Sequence, residues 1–198
     1  ETMIEKIIGY FSNQGFKKYL VVVNYKKHLI KSYLESIELE VDLAYLEESE
    51  ALGTVGGLRE FRKQLPENFV LTNCDVITSA DMAELFSVHL ENESALTILG
   101  IKRKTKIDYG VVEYSEEKSV LAVKEKPEYE HVIMSGVYVL NKSVFDSIPV
   151  GQPQDMNELI DILIRSGSKV LCHAVNDNWY DIGQFKEYRN LSSQINQA

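Results

Sequence analysis

Two aspartates in this chain stand where an apolar run ends. Asp75 closes "FVLTNCD", and Asp181 lies within "NWYDIG". In an open α/β sheet, ligands bind beyond the carboxyl ends of the strands, so strand-end residues are the first to weigh for chemistry. Either carboxylate alone also suits a turn or a helix cap. Two of them at one sheet edge could hold a hard divalent ion such as Mg2+, which takes oxygen ligands and commonly only one or two protein carboxylates. In "VKEKPEY", Pro127 favours an extended Lys126 and so projects an ammonium from a strand end. A compact ammonium suits a phosphate, and a solvated charge run is the plainer use of the same residues. "EALGTVGGLREF", residues 50–61, sets glycines ahead of an amphipathic stretch. Glycine admits positive φ or a close ligand, and a helix N-terminus offers unpaired N–H groups to an anion, but an ordinary loop has the same composition. Gly110 in "YGVVE" and Gly136 in "MSGVY" interrupt β segments, where a bulge or close backbone packing is the simplest account.

Other chemistries find little support. His28, His89, His131 and His173 are scattered without metal-ligand spacing, and there is no GxSxG nucleophile elbow. Cys74 and Cys172 lie far apart with no CxxC pair and read as reduced core thiols. The net charge of −9 argues against nucleic acid or an acidic membrane as partner, because both need an excess of Lys and Arg. Apolar runs are strand-sized, far short of a membrane span, and no signal peptide is visible, so a cytoplasmic location is expected. With 198 residues, 44% hydrophobic and 26% charged, the chain can bury the core of one globular domain.

The elements that must position these residues follow from periodicity. Ile4, Ile7, Ile8 and Phe11 recur at helical spacing, with Gly15 as the stop. "KYLVVVN" is a strand, Tyr25 to Leu34 a helix, and "LEVDLAY" a strand. The glycine loop leads a helix to about Leu65, and "NFVLTNCD" is a strand. This alternation predicts a mostly parallel sheet covered by helices on both faces. After a helix at "DMAELFSVHLEN", the segments "ALTILGIKR", "YGVVEYS", "VLAVKEK" and "VIMSGVYVLN" form a β-rich run, read as an antiparallel or mixed extension. "SVFDSI" and "DMNELIDILIRSG" return to helix, the second capped by Asp155 and stopped at Gly167. "KVLCHAV" is a strand, and "GQFKEYRNLSSQI" a closing helix.

Taken in order, "LGTVGGL", "LTNCD", "YGVVE", "EKP", "SGVYVL" and "WYDIG", spread over residues 52–183, resemble the sugar-phosphate nucleotidylyltransferases. These enzymes make nucleotide sugars from an NTP and a sugar 1-phosphate and release pyrophosphate. The resemblance implies a Rossmann-like, GT-A-like α/β fold, with residues 1–93 as a nucleotide-binding half and 94–198 as a β-rich sugar-phosphate half of one domain. It places base and ribose against Thr54, Gly56 and Gly57, and Mg2+ on Asp75 and Asp181. It gives the sugar phosphate to Gly110, Glu125, Lys126, Ser135 and Gly136, with Trp179 as a wall beside the second aspartate. Catalysis is then expected from Asp75, Lys126 and Asp181, and association into a homo-oligomer is common in such families. Cys74 stands where the family has Gly, and Val55 where Ala is commoner. The family's first strand, its GGxGTRL loop and its PKP segment have no counterpart before "ETMIEKI". The chain is therefore expected to be an N-terminally shortened piece, inactive alone. A non-catalytic nucleotide-sugar-binding or regulatory module of the same fold is the alternative. A metal-dependent glycosyltransferase fits less well for want of a DxD pair.

Overall fold

The computed structural model describes residues 2–50, 52–149 and 151–181, so the expected closing helix lies outside the described residues. Helix α1 (Met3–Asn13) buries Ile7, Ile8 and Phe11 on one stripe, as their spacing requires. It ends in a Schellman turn at Gly15: the Phe16 N–H donates to the Phe11 carbonyl at 3.2 Å, and the two rings meet edge to face. Strands β1 (Lys18–Val23) and β2 (Asp42–Glu47) pair in parallel, joined by α2 (Lys27–Ser36). Helix α3 (Gly53–Gly56) is a single turn that tightens into a 3-10 segment, Gly57–Phe61, rather than a helix to Leu65. Each glycine costs a helix interior about 1 kcal/mol relative to alanine, so the glycine-rich start cannot propagate as regular helix.

Next come β3 (Asn68–Thr72), β4 (Val76–Thr78) and α4 (Met82–Glu91), whose N-cap Asp81 accepts the N–H groups of Ala83 and Glu84 at 2.8 and 3.0 Å. Strands β5 (Leu96–Lys106), β6 (Val111–Tyr114), β7 (Val120–Lys124) and β8 (Glu128–Asn141) then lead through a 3-10 turn to α5 (Met156–Arg165), β9 (Val170–Val175) and β10 (Trp179–Asp181). Asp155 caps α5, its N–H donating to the Glu158 carboxylate at 3.1 Å, and Gly167 ends it.

The main sheet has the order β3-β8-β5-β9, flanked by the pairs β1-β2, β4-β10 and β6-β7. This corrects the mostly parallel expectation. Strand β8 is antiparallel to both β3 and β5, β6-β7 and β4-β10 are antiparallel too, and among the described residues only β1-β2 and β5-β9 are parallel. The reason is connection length. β5 to β8 follow one another with short breaks and nest as hairpins, whereas a parallel pair needs a crossover of a dozen or more residues.

Helices do cover both faces of the main sheet. Tyr138 and Leu140 of β8 pack in one core cluster with Leu159 and Leu163 of α5, while the alternate Val137 and Val139 pack with Phe11 of α1 and Leu85 of α4. The cysteines are not core thiols. Cys74 lies in the loop after β3 and Cys172 on the edge strand β9, and both are exposed. Among the described residues no helix is long and apolar enough to cross a membrane.

One buried polar group gives a pH prediction. His89 is 1% exposed, with Nδ1 3.0 Å from the Thr97 hydroxyl and Nε2 3.1 Å from Asn68 Oδ1. Burial holds its imidazole below the ordinary histidine pKa, so the native state resists a proton that the unfolded chain accepts. The stability this contributes is complete above the unfolded pKa, about 6.5, and is lost as pH falls through the folded value. Urea melts from pH 7.5 to 5.5 should show a declining unfolding free energy, with a shallower decline in His89→Gln.

Candidate active site

Asp75 leads directly into β4, and Asp181 ends β10. These strands pair antiparallel with Trp179 opposite Thr78, Tyr180 opposite Ile77 and Asp181 opposite Val76. Asp181 is therefore registered against the residue next to Asp75, and the two half-buried carboxylates share one strand edge. Among the described residues no group of three or more His, Cys, Asp or Glu forms a metal cluster. The aspartate pair, two hard oxygen donors, is the set whose chemistry fits a Mg2+ ion that keeps further positions for water or phosphate.

A break in β8 brings the next residues to that edge. Between Ile98 opposite Tyr138 and Gly100 opposite Met134 the register shifts, so Ser135, Gly136 and Val137 face the single residue Leu99. Gly136 takes φ +83°, and its carbonyl accepts the Asn73 N–H at 3.0 Å, two residues before Asp75. The Ser135 side chain, 1% exposed, accepts the Val137 N–H at 3.0 Å, and the Ser135 carbonyl accepts the Trp179 indole N–H at 2.8 Å. Five expected residues, Asp75, Ser135, Gly136, Trp179 and Asp181, thus form one constellation. Ser135 serves it from within, through hydrogen bonds to its own strand and to the indole. A Cβ on Gly136 would stand 2.9 Å from Asn73 Nδ2 and 3.1 Å from Val76 Cγ2. Gly136→Ala is expected to cost roughly 1–3 kcal/mol in urea unfolding, by strain at positive φ and pressure on the segment that carries Asp75.

Gly110 and Glu125 meet separately, at the base of the β6-β7 hairpin: a Cβ on Gly110 would lie 3.2 Å from the Glu125 carboxylate. Lys126 differs from expectation. It is left-handed, with φ +45°, not extended. The chain must swing from β7, paired with β6, into β8, paired with β5, between Lys124 and Glu128, and the Pro127 carbonyl is held by the Ile107 N–H at 3.1 Å. That bend outweighs the proline's preference, and the described residues include no ion pair to Lys126.

The glycine loop forms a third group. Val55 and Gly56 donate their N–H groups to the Gln154 carbonyl at 3.1 and 3.3 Å, and the Gln154 N–H returns to the Leu52 carbonyl at 2.9 Å. A Cβ on Gly56 would stand 2.7 Å from the Gln152 carbonyl oxygen, and one on Gly57 would overlap the Glu48 carboxylate at 1.7 Å. These glycines permit close packing, and Thr54 is left exposed beside them.

Three residues escaped the motif reading. Arg103 places its guanidinium 5.8 Å from the Trp179 ring centre and donates to the Trp179 carbonyl at 3.4 Å, which sets a cation beside the strand bearing Asp181. Glu48 follows β2 and Asn24 follows β1, at the carboxyl ends of two parallel strands. Burial pushes the Glu48 carboxyl above its ordinary pKa, Asn24 draws it partly back, and the repulsion of Glu60 adds to the rise. The two do not close a hydrogen bond, so Asn24 Nδ2 is buried without a partner. The strand-end rule that singled out Asp75 could have found both.

Comparison with known proteins decides what this arrangement belongs to. The family model described as nucleotidyl transferase matches residues 1–198. The chain belongs to the nucleotidyl transferase family. Among its relatives is the mannose-1-phosphate guanylyltransferase catalytic subunit beta of Dictyostelium discoideum, 32% identical over 181 residues, covering 88% of this chain and 50% of that protein. The D-glycero-alpha-D-manno-heptose 1-phosphate guanylyltransferase of Aneurinibacillus thermoaerophilus is 32% identical over 193 residues, covering 96% of this chain and 83% of that protein. The chain thus spans half the length of the first relative and most of the second. In structure it resembles HddC from Yersinia pseudotuberculosis complexed with GMP-PN, at a TM-score of 0.75 and 20% identity over 98% of this chain and 86% of that one. That likeness shows a shared mixed α/β nucleotidyltransferase fold. As a member of the sugar-1-phosphate nucleotidyltransferase family, the chain carries its strand-end carboxylates on the same kind of scaffold.

Proposed function

We propose that this chain forms the catalytic domain of a sugar-1-phosphate guanylyltransferase, joining GMP from GTP to a hexose or heptose 1-phosphate. The observation that carries this reading is the β4-β10 register, which sets Asp75 and Asp181 on one edge beside the Gly136 bulge. A sugar-phosphate oxygen attacks the α-phosphorus, forming the new P–O bond as the α–β bridging bond breaks and pyrophosphate leaves. An existing oxyanion is the nucleophile, so alignment and charge neutralisation account for the catalysis. Asp75 and Asp181 would hold Mg2+, which when bound neutralises phosphate charge. Arg103 and Lys126 add positive charge for the phosphates, the bulge backbone and the Gly110–Glu125 pair take the sugar side, and the half formed by residues 1–93 takes the nucleotide.

Guanine is favoured by the pair at the ends of β1 and β2. A half-buried carboxylate suits guanine N1–H and N2–H, and Asn24 Nδ2 beside it suits O6. The names of the two relatives above agree with this choice. The test is pyrophosphate release by full-length protein across a matrix of the four ribonucleoside triphosphates and mannose, glucose and heptose 1-phosphates. Turnover confined to GTP is the expected outcome. Nucleotide-sugar binding without turnover in any pairing would instead support a non-catalytic module.

A further inference from the structure

At the other end of the main sheet from the carboxylates lies a cavity of about 430 Å3, walled by the start of β5, the end of β8 and the C-terminal end of α4. Its position follows from register: β3 begins beside it, where Asn68 pairs with Asn141, and reaches the catalytic edge only after Thr72 pairs with Val137. The volume is within the range of small-molecule sites. Its lining is polar and organised. His89 bridges Asn68 and Thr97, and the Asn141 carboxamide donates to Asn68 Oδ1 at 3.0 Å. Ser94 borders the cavity with a hydroxyl that is buried and has no hydrogen-bond partner, in a residue only 4% exposed. A buried hydroxyl left unpaired is unfavourable, and a small side-chain rotation toward the cavity would let a ligand hydroxyl satisfy it.

The chemistry of the wall selects the ligand. The two charged residues on the lining are opposite, Lys169 and Glu93, and the Lys169 ammonium is already held by the Asn92 carbonyl at 2.7 Å. A phosphorylated ligand would meet one committed cation and one repelling carboxylate. A nucleobase would find no tryptophan, tyrosine or phenylalanine to stack on. What remains are the hydroxyls of Ser94 and Ser143, with that of Ser168, which also meets the Ser166 hydroxyl at 2.9 Å, and a hydroxyl can pair with a group that both donates and accepts. We propose that this cavity is a second small-molecule site, for an uncharged polyhydroxylated molecule of monosaccharide size, remote from the carboxylate pair.

Saturation-transfer NMR on the folded chain tests this with D-mannose, D-glucose and myo-inositol as probes, and inorganic phosphate by 31P line broadening as the charged counterpart. At least one neutral probe should receive saturation at millimolar concentration. The signal should persist in Asp75→Asn and in the presence of mannose 1-phosphate and GTP. It should fall about tenfold or more in affinity, near 1.4 kcal/mol, in Ser143→Phe, which fills the rim from an exposed position. Ser168→Phe fills it from the opposite side and serves if the first variant folds poorly. Three results overturn the assignment: no transfer from any neutral probe, displacement by mannose 1-phosphate, or undiminished binding in a folded Phe variant. Phosphate binding lost in those same variants would overturn the uncharged ligand class.

Discussion

Asp75→Asn or Asp181→Asn in the full-length enzyme should lower pyrophosphate release from GTP and a sugar 1-phosphate by on the order of a thousandfold, with the urea midpoint little changed. Asparagine matches aspartate in size, and neither residue supports a core cluster, so the backbone pairing of β4 with β10 should survive. What changes is charge at the edge where two phosphates converge. The neutral amide is a weaker ligand for a hard cation and does not offset its charge. If both carboxylates serve one ion, the double variant should be little worse than either single one, because effects of groups acting as a unit do not add. Independent roles would instead multiply the losses. A magnesium titration of each variant separates weakened metal binding, which excess metal partly restores, from misplaced substrate, which it does not. Near-wild-type rates in both single variants would remove the pair from the mechanism.

Local rules made much of the fold legible. Asp155 as a cap, Gly15 and Gly167 as stops, and the apolar stripe of α1 all stand where sequence places them, because each depends on neighbours within a few residues. Strand pairing is different. "ALTILGIKR" and "VIMSGVYVLN" read as strands from pattern, and the short breaks between them agree with the antiparallel extension found, but the choice of partners, with β8 between β3 and β5, is long-range and no local pattern encodes it. The same limit explains Cys172, whose exposure comes from β9 lying at the sheet edge, and Lys126, whose backbone is set by the transfer between two sheets. The strand-end positions of Asp75 and Asp181 were legible because each follows an apolar run within a few residues. Arg103 was not, since "KRK" looks like solvated charge until Trp179 is found against it.

Glu48 carries the other large expected effect, a change of base preference. Guanine presents two adjacent donors, N1–H and N2–H, and needs two acceptors facing them. A carboxylate supplies both, and the burial that raises the Glu48 pKa makes an incoming donor pair more favourable than it would be in water. Glu48→Gln keeps the side chain's size against Gly57 and replaces one acceptor by an amide N–H, which then opposes a guanine donor. Such a mispaired contact should lower kcat/KM for GTP by about a hundredfold, mainly through KM, because the base lies far from the reacting phosphorus. Uracil instead presents N3–H beside O4, an arrangement a glutamine carboxamide can meet with one acceptor and one donor. The ratio of kcat/KM for GTP to that for UTP should therefore collapse by more than the GTP loss alone. Folding should not suffer, since the variant removes a carboxylate that burial disfavours. A ratio unchanged in Glu48→Gln would place base selection elsewhere in the glycine loop.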